Sequence, residues 1–550
     1  MNRTKLLSLK LFALLFVFAS CADLAVENLN EPTKKAVEGN EENQAKLLAG
    51  GFYDLSTALV SSYGTHPDLI ADQITSTNNV RNFWDFAQEP KMRLTNSQTY
   101  AGASAFASFY GGFNSSVSTA NLFISNDNIS DAIRAQAYFL RGLARGYLGM
   151  MYDQSYLIDE TFEIGVDTPE YVPYGQLIAG AISDFETAIS ITNTVADADF
   201  VFNAMPNPDN SWDKNEFLDI VNFYAAKTLA GGARTATEAA SIDWNKVKAF
   251  AEKGIGGPSA ASSIGSFTND NLGSAGEFAS YYNDWANFLV SCGSSDLSSC
   301  SGYLPTDVKV IHTMDPSYPT TYPADSAQGT VAALDPATSN DPRLTGYYTY
   351  TTNAGFLRST RNGNLYSNYF SMKLYSGNDW WKETNAVTLA TNTENLLLLA
   401  EAHVMLGDMA AAAAVLNSSS AGTGETVIGF ELDSEAQGRI ADGSLSGGYV
   451  FDGSETLAEM QFALMREYAV EVSTLGGSGA NWIFMRRHDL LQEGAITMFP
   501  VPAGELEILG LDLYQFGGVA DAGKAGTASG ANSWKDLAAK ANLKVVPQDG

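Results

Sequence analysis

The densest group of side chains that could bind a ligand lies in the segment DLIADQITSTNNVRNFWDF, residues 68–86. Asn78, Asn79, Arg81 and Trp84 stand close together there, in a stretch that is too polar to form core. Amide and guanidinium groups bind hydroxyl edges, and an indole ring stacks on apolar C–H faces. This set therefore predicts a site for a neutral, hydroxyl-bearing ligand such as a sugar.

Two of these residues also have structural interpretations. Trp84 could be a partly buried tryptophan that holds a loop in place. Arg81 could form an ion pair with Asp72 or Asp85 instead of donating to a ligand. The asparagines beside Arg81 favour the binding interpretation.

A second group of aromatic residues lies in a long segment that is rich in Gly, Ser, Thr, Pro and Tyr. Tyr282, Trp285 and Tyr303 surround a pair of cysteines, and Trp380 and Trp381 follow later. Neighbouring side chains of an extended segment point to opposite faces, so that one of the two adjacent tryptophans is expected in the core. We predict an ordered surface built from loops, with Trp380 among its ligand-binding residues.

Apart from Cys21, the chain contains two cysteines, Cys292 and Cys300, with seven residues between them. An oxidising compartment would allow them to pair, and we predict a disulfide that closes a small loop. A metal site is the alternative, but neither cysteine has a second cysteine or a histidine at ligand spacing. The four histidines are scattered and begin no zinc or triad motif, and no cofactor is predicted.

A glycoside hydrolase would need two carboxylates facing each other across a cleft. Among 62 acidic residues, Glu394 and Glu401 are a candidate pair at helical spacing. They fall in an otherwise apolar helix, where ion pairing or capping is the favoured interpretation. The sequence therefore favours a binding protein over an enzyme, and a helical scaffold for protein–protein contacts remains a second alternative.

Helical periodicity flanks the candidate binding segments and predicts the elements that position them. In the first helix, small residues form a stripe that would let a second helix approach closely. Asp243 is placed as an N-cap, and Gly407-Asp408 is placed to break a helix into two. The predicted helical segments are 132–152, 172–191, 215–234, 243–255, 392–417 and 455–472.

These paired helices resemble tetratricopeptide repeats, although they do not follow one another as in a solenoid. We predict a mainly α fold with a large loop-rich insertion at about 256–381. No long linker divides the chain, so residues 43–550 are expected to form a single helical body.

The N-terminus has the pattern of a lipoprotein leader. Arg3, Lys5 and Lys10 precede an apolar run over residues 11–19, and Cys21 follows small residues. The run is too short to span a bilayer, which predicts a signal peptide over residues 1–20. A lipid-attached Cys21 with a tether to residue 42 is expected; a secreted protein cleaved near residue 19 is the alternative.

The net charge of −30 excludes nucleic acid as a partner. Hydrophobic residues make up 45% of the chain, which is enough for a large core. Charged residues make up only 17%, so that uncharged polar residues supply much of the surface. Such a surface suits neutral ligands that form hydrogen bonds.

The order of these features resembles the SusD/RagB family, outer-membrane nutrient-binding lipoproteins of Bacteroidetes-type bacteria. The resemblance covers nearly the whole chain after the leader. One departure is STLGGSGANW at 473–482, where many relatives carry a Glu and an Arg. The matching pieces are DLAVENLNEP after Cys21, AYFLRGLARGYLGMMY, ENLLLLAEAHVMLGD, MREYAVEV, WIFMRRHDLL and MFPVPAGEL.

The resemblance implies a helical body with four tetratricopeptide-like pairs. It also implies a SusC-like TonB-dependent outer-membrane barrel as partner, on which the protein sits as a lid at the cell surface. The implied role is capture of a glycan or another oligomeric nutrient. The segment at 68–86 occupies the place where the resemblance puts ligand-binding residues.

Overall fold

The computed structural model describes most of the chain beyond residue 40. The described residues are 41–60, 62–77, 79–163, 166–203, 211–269, 302–322, 334–339, 341, 343–352, 365, 367–371, 387–418, 451–473 and 478–541.

Helices dominate the described part of the chain. They are α1 (Glu41–Val60), α2 (His66–Ile70), α3 (Phe83–Ala87), α4 (Ser104–Ile124), α5 (Asp131–Met151), α6 (Tyr174–Thr194), α7 (Lys214–Gly231), α8 (Ala236–Ala239), α9 (Trp244–Ala251), α10 (Val308–Met314), α11 (Arg343–Tyr347), α12 (Asn392–Met405), α13 (Met409–Ser418), α14 (Leu457–Glu467), α15 (Ala480–Arg487), α16 (Ala503–Ile508) and α17 (Trp534–Lys540).

The described strands are short and form three two-stranded antiparallel sheets, β1–β2, β3–β6 and β4–β5. In register, Gln154 faces Pro173, Tyr348 faces Ser371, and Ser266 faces Thr391. The strands are β1 (Gln154–Tyr156), β2 (Tyr171–Pro173), β3 (Ser266–Asn269), β4 (Tyr348–Tyr350), β5 (Tyr369–Ser371) and β6 (Val387–Thr391).

Several helices begin at side chains that accept hydrogen bonds from the free N–H groups of the first turn. Asp213 and Thr456 each form a capping box, with Glu216 and Glu459 respectively. The Asp243 carboxylate accepts from the backbone N–H of Lys246, which confirms the predicted N-cap. Such contacts depend only on neighbouring residues, which is why the Asp243 cap could be predicted from the sequence.

The predicted helix pairs are present. Helix α5 packs against α6, α7 packs against α9, and α12 is followed directly by α13. The break between α12 and α13 falls at Gly407-Asp408, where Gly407 has a positive φ of 80° and Asp408 accepts from the N–H of Ala411. The mainly α fold with tetratricopeptide-like pairs is therefore confirmed.

Helix α5 is buried on almost every side; Asp131 is exposed, and Arg134 and Tyr138 are half-buried. At its glycines, side chains of neighbouring helices pack closest to the α5 backbone. A Cβ on Gly142 would lie 2.7 Å from the ring of Phe185 in α6. The predicted small-residue stripe therefore serves helix packing.

Several helix boundaries differ from the prediction. Helix α9 ends at Ala251, before the predicted end at residue 255. Residues 172–173 belong to β2, because a residue that precedes a proline, here Val172, is disfavoured in helical backbone, and Pro173 is itself extended. Arg234 lies beyond the end of α7 at Gly231. Residues 468–472, the end of a predicted helix, form a π-helical turn instead of an α-helix.

The core contains many phenylalanine and tyrosine rings from several helices. Phe139 of α5 packs against Phe202 at 5.7 Å and Phe217 at 5.3 Å between ring centroids, in edge-on arrangements. Such pairs stabilise by about 0.5–1.5 kcal/mol beyond their burial. Among the described residues, no helix is both long and apolar enough to cross a membrane.

The substitution Gly142→Ala tests the close packing of α5 on α6. We expect the free energy of unfolding to fall by about 1–3 kcal/mol, because the new methyl group would overlap the Phe185 ring. Gly111→Ala in α4 is the matched control, since its Cβ would meet nothing within 4 Å. In the control, the free energy of unfolding should rise by about 0.5–1 kcal/mol, because alanine favours a helix more than glycine does. Urea denaturation measures both, and a Gly142→Ala protein as stable as the parent would contradict the close contact.

Candidate functional site

Four of the residues predicted to bind a ligand lie in the described part of the chain: Asn79, Arg81, Trp84 and Tyr303. Each is half-buried. The other predicted site residues lie outside the described residues: Cys21, Asn78, Tyr282, Trp285, Cys292, Cys300 and Trp380.

The structure brings Tyr303 to the first candidate segment. The backbone N–H of Thr75 donates to the carbonyl of Pro305 at 2.8 Å, and that of Thr77 donates to the carbonyl of Tyr303 at 3.1 Å. The two stretches therefore run side by side although more than 200 residues separate them. Tyr303, the one residue of the second predicted group that lies among the described residues, is therefore close in space to the segment that leads into the turn at 79–84.

The turn at 79–84 has a strained backbone. Arg81 and Asn82 have φ values of 53° and 61°, in the left-handed region that non-glycine residues rarely adopt. Such residues cost about 1–3 kcal/mol each and persist only where the surroundings hold them. Strain of this kind concentrates at functional sites, and here it falls on a residue predicted to bind the ligand.

Side-chain hydrogen bonds hold the strained turn. The Asn82 amide donates to the Asp85 carboxylate at 2.9 Å, and the Tyr100 hydroxyl donates to the same carboxylate at 2.7 Å. The side-chain oxygen of Asn79 accepts from the backbone N–H of Trp84 at 3.1 Å. Asn79 thus has a structural contact whether or not it also binds a ligand.

Arg81 lies over the ring of Tyr63, with its guanidinium carbon 5.2 Å from the ring centroid. This arrangement is a cation–π contact. Asp72 and Asp85, the alternative ion-pair partners of Arg81, contact other side chains. Asp72 is buried and forms a salt bridge of 2.7 Å with Lys91, and Asp85 holds the turn.

Trp84 is partly buried, as its structural interpretation predicts, and its stacking role stays a prediction. Its indole packs partly against the core, and its Nε1 donates to the side-chain oxygen of Gln88 at 3.1 Å. The side chain is nevertheless not fully covered. A tryptophan held in this way presents a ring with a fixed orientation, which a stacking platform requires.

His66 connects this turn to the helical body. Its ring nitrogens lie 3.0 Å from the carbonyl oxygen of Tyr63 and 3.1 Å from that of Arg81. Burial lowers the pKa of His66 to about 4, although the two carbonyl contacts act in the opposite direction. The ring is therefore neutral at physiological pH, and its single N–H can donate to one of these two carbonyls.

Tyr63 and the left-handed turn were not predicted from the sequence. Tyr63 follows α1 and carries no local signal of a site, because only the fold brings its ring beneath Arg81. The turn did have a signal, since asparagine tolerates left-handed backbone better than most residues and the segment contains Asn78, Asn79 and Asn82.

The acidic pair proposed for an enzyme is used in buried ion pairs, as expected. Glu394 contacts Lys227 at 2.8 Å. Glu401 contacts Arg487 and, at 2.8 Å, His488. Burial acts to raise the pKa of Glu401, but Arg487 and His488 lower it to about 2.

The part of the chain that the structure describes contains no group of three His, Cys, Asp or Glu side chains placed to hold a metal ion. The groups assembled at the 79–84 turn are instead aromatic rings, amides and a guanidinium group. Groups of these types can bind a ligand reversibly through stacking and hydrogen bonds.

Comparison with known proteins agrees with the helical-pair architecture. No protein-family model and no curated protein matches the chain. A solved SusD-like protein from Bacteroides fragilis superimposes with a TM-score of 0.56 at 10% sequence identity, covering 88% of this chain and 98% of that chain. A solved SusD homolog from the same species superimposes with a TM-score of 0.51 at 14% sequence identity, covering 84% of this chain and 93% of that chain. The chain therefore has the SusD-like fold, as the sequence resemblance predicts.

The pH dependence of stability tests the role of His66. Since its folded-state pKa of about 4 lies below the usual histidine value of 6.5, the unfolded chain binds more protons between these values. The stability that neutral His66 contributes is present above pH 6.5 and is lost as the pH falls. Below pH 6.5, we expect the free energy of unfolding of the parent to fall by about 1.4 kcal/mol per pH unit relative to that of the His66→Gln variant. Urea denaturation from pH 7 to 4.5 measures it, and parallel curves for the two proteins would contradict the assignment.

Proposed function

We propose that the protein is a lipid-anchored binding protein of the outer cell surface that captures an oligosaccharide and delivers it to a SusC-like TonB-dependent barrel. It acts as a binding protein and performs no catalysis. The observation that carries the proposal is the strained turn on a SusD-like fold. This turn holds Arg81 over Tyr63, keeps Trp84 partly uncovered and lies beside Tyr303.

The chemistry of the turn supports a sugar as the ligand. Sugar rings have apolar C–H faces that stack on aromatic side chains, and hydroxyl edges that bind amides and guanidinium groups. Trp84 and Tyr303 supply rings, and Arg81 and Asn79 supply polar groups. Asn78, Tyr282, Trp285 and Trp380 are proposed to extend the same surface.

A site of this kind predicts weak capture. Each stacked ring contributes about 0.5–1.5 kcal/mol beyond its burial, whereas a dissociation constant of 1 μM corresponds to about 8 kcal/mol. A few rings and hydrogen bonds thus support binding in the micromolar range. Weak binding suits a protein that must release its ligand to a transporter.

Alanine substitution of Trp84 and of Tyr303 tests the proposed site. Each should weaken oligosaccharide binding about tenfold or more, because a ring stacked on the sugar is lost. Trp84→Phe should retain most of the affinity, since a ring remains. The control is Phe250→Ala, which removes another half-buried ring that packs against the core, in α9. A glycan array followed by calorimetry measures binding, and circular dichroism checks the fold.

Two outcomes would favour the alternatives. If both alanine variants bind every glycan as the parent does while the barrel still co-purifies, the protein is a protein–protein scaffold. If the purified protein releases reducing ends from a polysaccharide with sustained turnover, it is a glycoside hydrolase.

Labelling with radioactive palmitate tests the proposed anchor. The full-length chain should incorporate the label in the bacterial host and remain with the outer membrane, because two acyl chains hold a protein stably. The Cys21→Ser variant should lose both the label and the membrane association. An unlabelled parent found free in the medium would contradict a lipid anchor.

A further inference from the structure

A cavity of about 430 Å³ shares no lining residue with the proposed glycan-binding turn. Its walls come from the start of α6, the α7–α8 connection, the end of α15 and the loop at 523–529. The volume falls within the range of small-molecule sites. Two arginines in its wall, Arg234 and Arg486, are 3% and 1% exposed.

Arg234 is held by the C-terminal end of α5. Its guanidinium group donates to the carbonyl oxygens of Met150 at 2.6 Å and Tyr152 at 3.1 Å, and also to that of Gly149. The ring of Tyr174 lies 4.4 Å from the guanidinium carbon. The Nε atom is buried and has no hydrogen-bond partner.

Arg486 repeats this arrangement at the end of α7. It donates to the carbonyl oxygens of Gly231 at 2.8 Å and Thr497 at 2.9 Å. Its guanidinium carbon lies 4.7 Å from the ring of Trp482. Its Nε is likewise buried without a partner.

The positive charge of these two groups is only partly balanced. Within the described residues neither arginine forms a salt bridge with a carboxylate. Burial lowers the pKa of Arg234 to about 10. Burial and repulsion from Arg234 hold the pKa of Arg486 well below its usual value. An anion in the cavity would relieve this repulsion.

Donor capacity also remains unused. A guanidinium group has five N–H donors. Arg234 makes three hydrogen bonds and Arg486 makes two. Buried donors without acceptors are unfavourable, by about 1–3 kcal/mol each. A carboxylate is the acceptor that matches the planar arginine fork.

Other charged groups restrict what kind of anion fits. Glu238 and Asp489 line the same cavity, and Lys524 lies at its rim and forms an ion pair with Asp521. The two carboxylates would repel a multiply charged ligand. They would accept hydrogen bonds from hydroxyl groups, however.

We infer that this cavity binds a small monocarboxylate that carries hydroxyl groups, such as an acidic monosaccharide, with its carboxylate at Arg234 and Arg486. The hydroxyl groups then donate to Glu238 and Asp489. The site is separate from the proposed glycan-binding turn, and it does not depend on that proposal.

Titration calorimetry on the purified protein tests the inference with D-galacturonate, D-galactose and sulfate as probes. Galacturonate should bind at least about tenfold more tightly than galactose, which lacks the carboxylate, and than sulfate, which lacks the hydroxyl groups. Sulfate as tight as galacturonate would overturn the assignment of ligand class. Equal binding of galactose, or no binding of galacturonate, would overturn the site.

Variants at the rim locate the binding without disturbing the buried arginines. Ala525→Trp should fill the cavity mouth and weaken galacturonate binding about tenfold or more. Ala531→Trp, an exposed alanine outside the cavity lining, is the matched control and should bind as the parent does. Unchanged binding in Ala525→Trp would overturn the inference.

The same variants separate this inference from the proposed function. Trp84→Ala should leave galacturonate binding unchanged, and Ala525→Trp should leave oligosaccharide capture unchanged. Arg234→Gln should abolish galacturonate binding; a thermal melt determines whether α5 remains folded in that variant. A folded Arg234→Gln protein that binds galacturonate like the parent would contradict the role of this arginine.

Discussion

The rest of the structure depends on the close approach of other helices to α5. Gly142 leaves room for the Phe185 ring, and Gly146 does the same for Thr228 of α7. Because α5 is covered on nearly every side, α6 and α7 are fixed against it at once. A packed interior adjusts poorly to added volume, so the position of these helices determines where their ends lie. Those ends form part of the wall of the cavity.

Burying so many helices creates a problem at their C-terminal ends, where backbone carbonyls lose their solvent partners. The structure meets it with buried arginines, since Arg234 caps α5 and Arg486 caps α7. Arg487, next in the chain, instead pairs with Glu401. A buried carboxylate balances a buried cation directly, whereas carbonyl dipoles balance it only in part. Adjacent arginines of one motif therefore have different electrostatic environments, and only Arg486 faces the cavity.

Local signals explain which features the sequence predicts. The cap at Asp243 and the break at Gly407 depend on neighbouring residues, and both were predicted. The placement of Tyr303 beside the 79–84 turn depends on pairing between distant segments, and neither segment has a pattern that identifies the other. Arg234 was predicted to end a helix, whereas it lies beyond α7 and caps α5. Such contacts arise from the packing of whole helices, which residue spacing does not encode.

The hydrogen bonds within the 79–84 turn affect the affinity that the proposed site can reach. Ordering a flexible loop on binding would cost free energy comparable with what one or two stacked rings supply. The strained turn at Arg81 and Asn82 is already held in the folded protein by the hydrogen bonds that Asp85 accepts from Asn82 and Tyr100. A ligand at the proposed site would then meet rings whose orientation is set in advance. In this arrangement the supporting contacts, more than the number of rings, determine whether micromolar capture is reached.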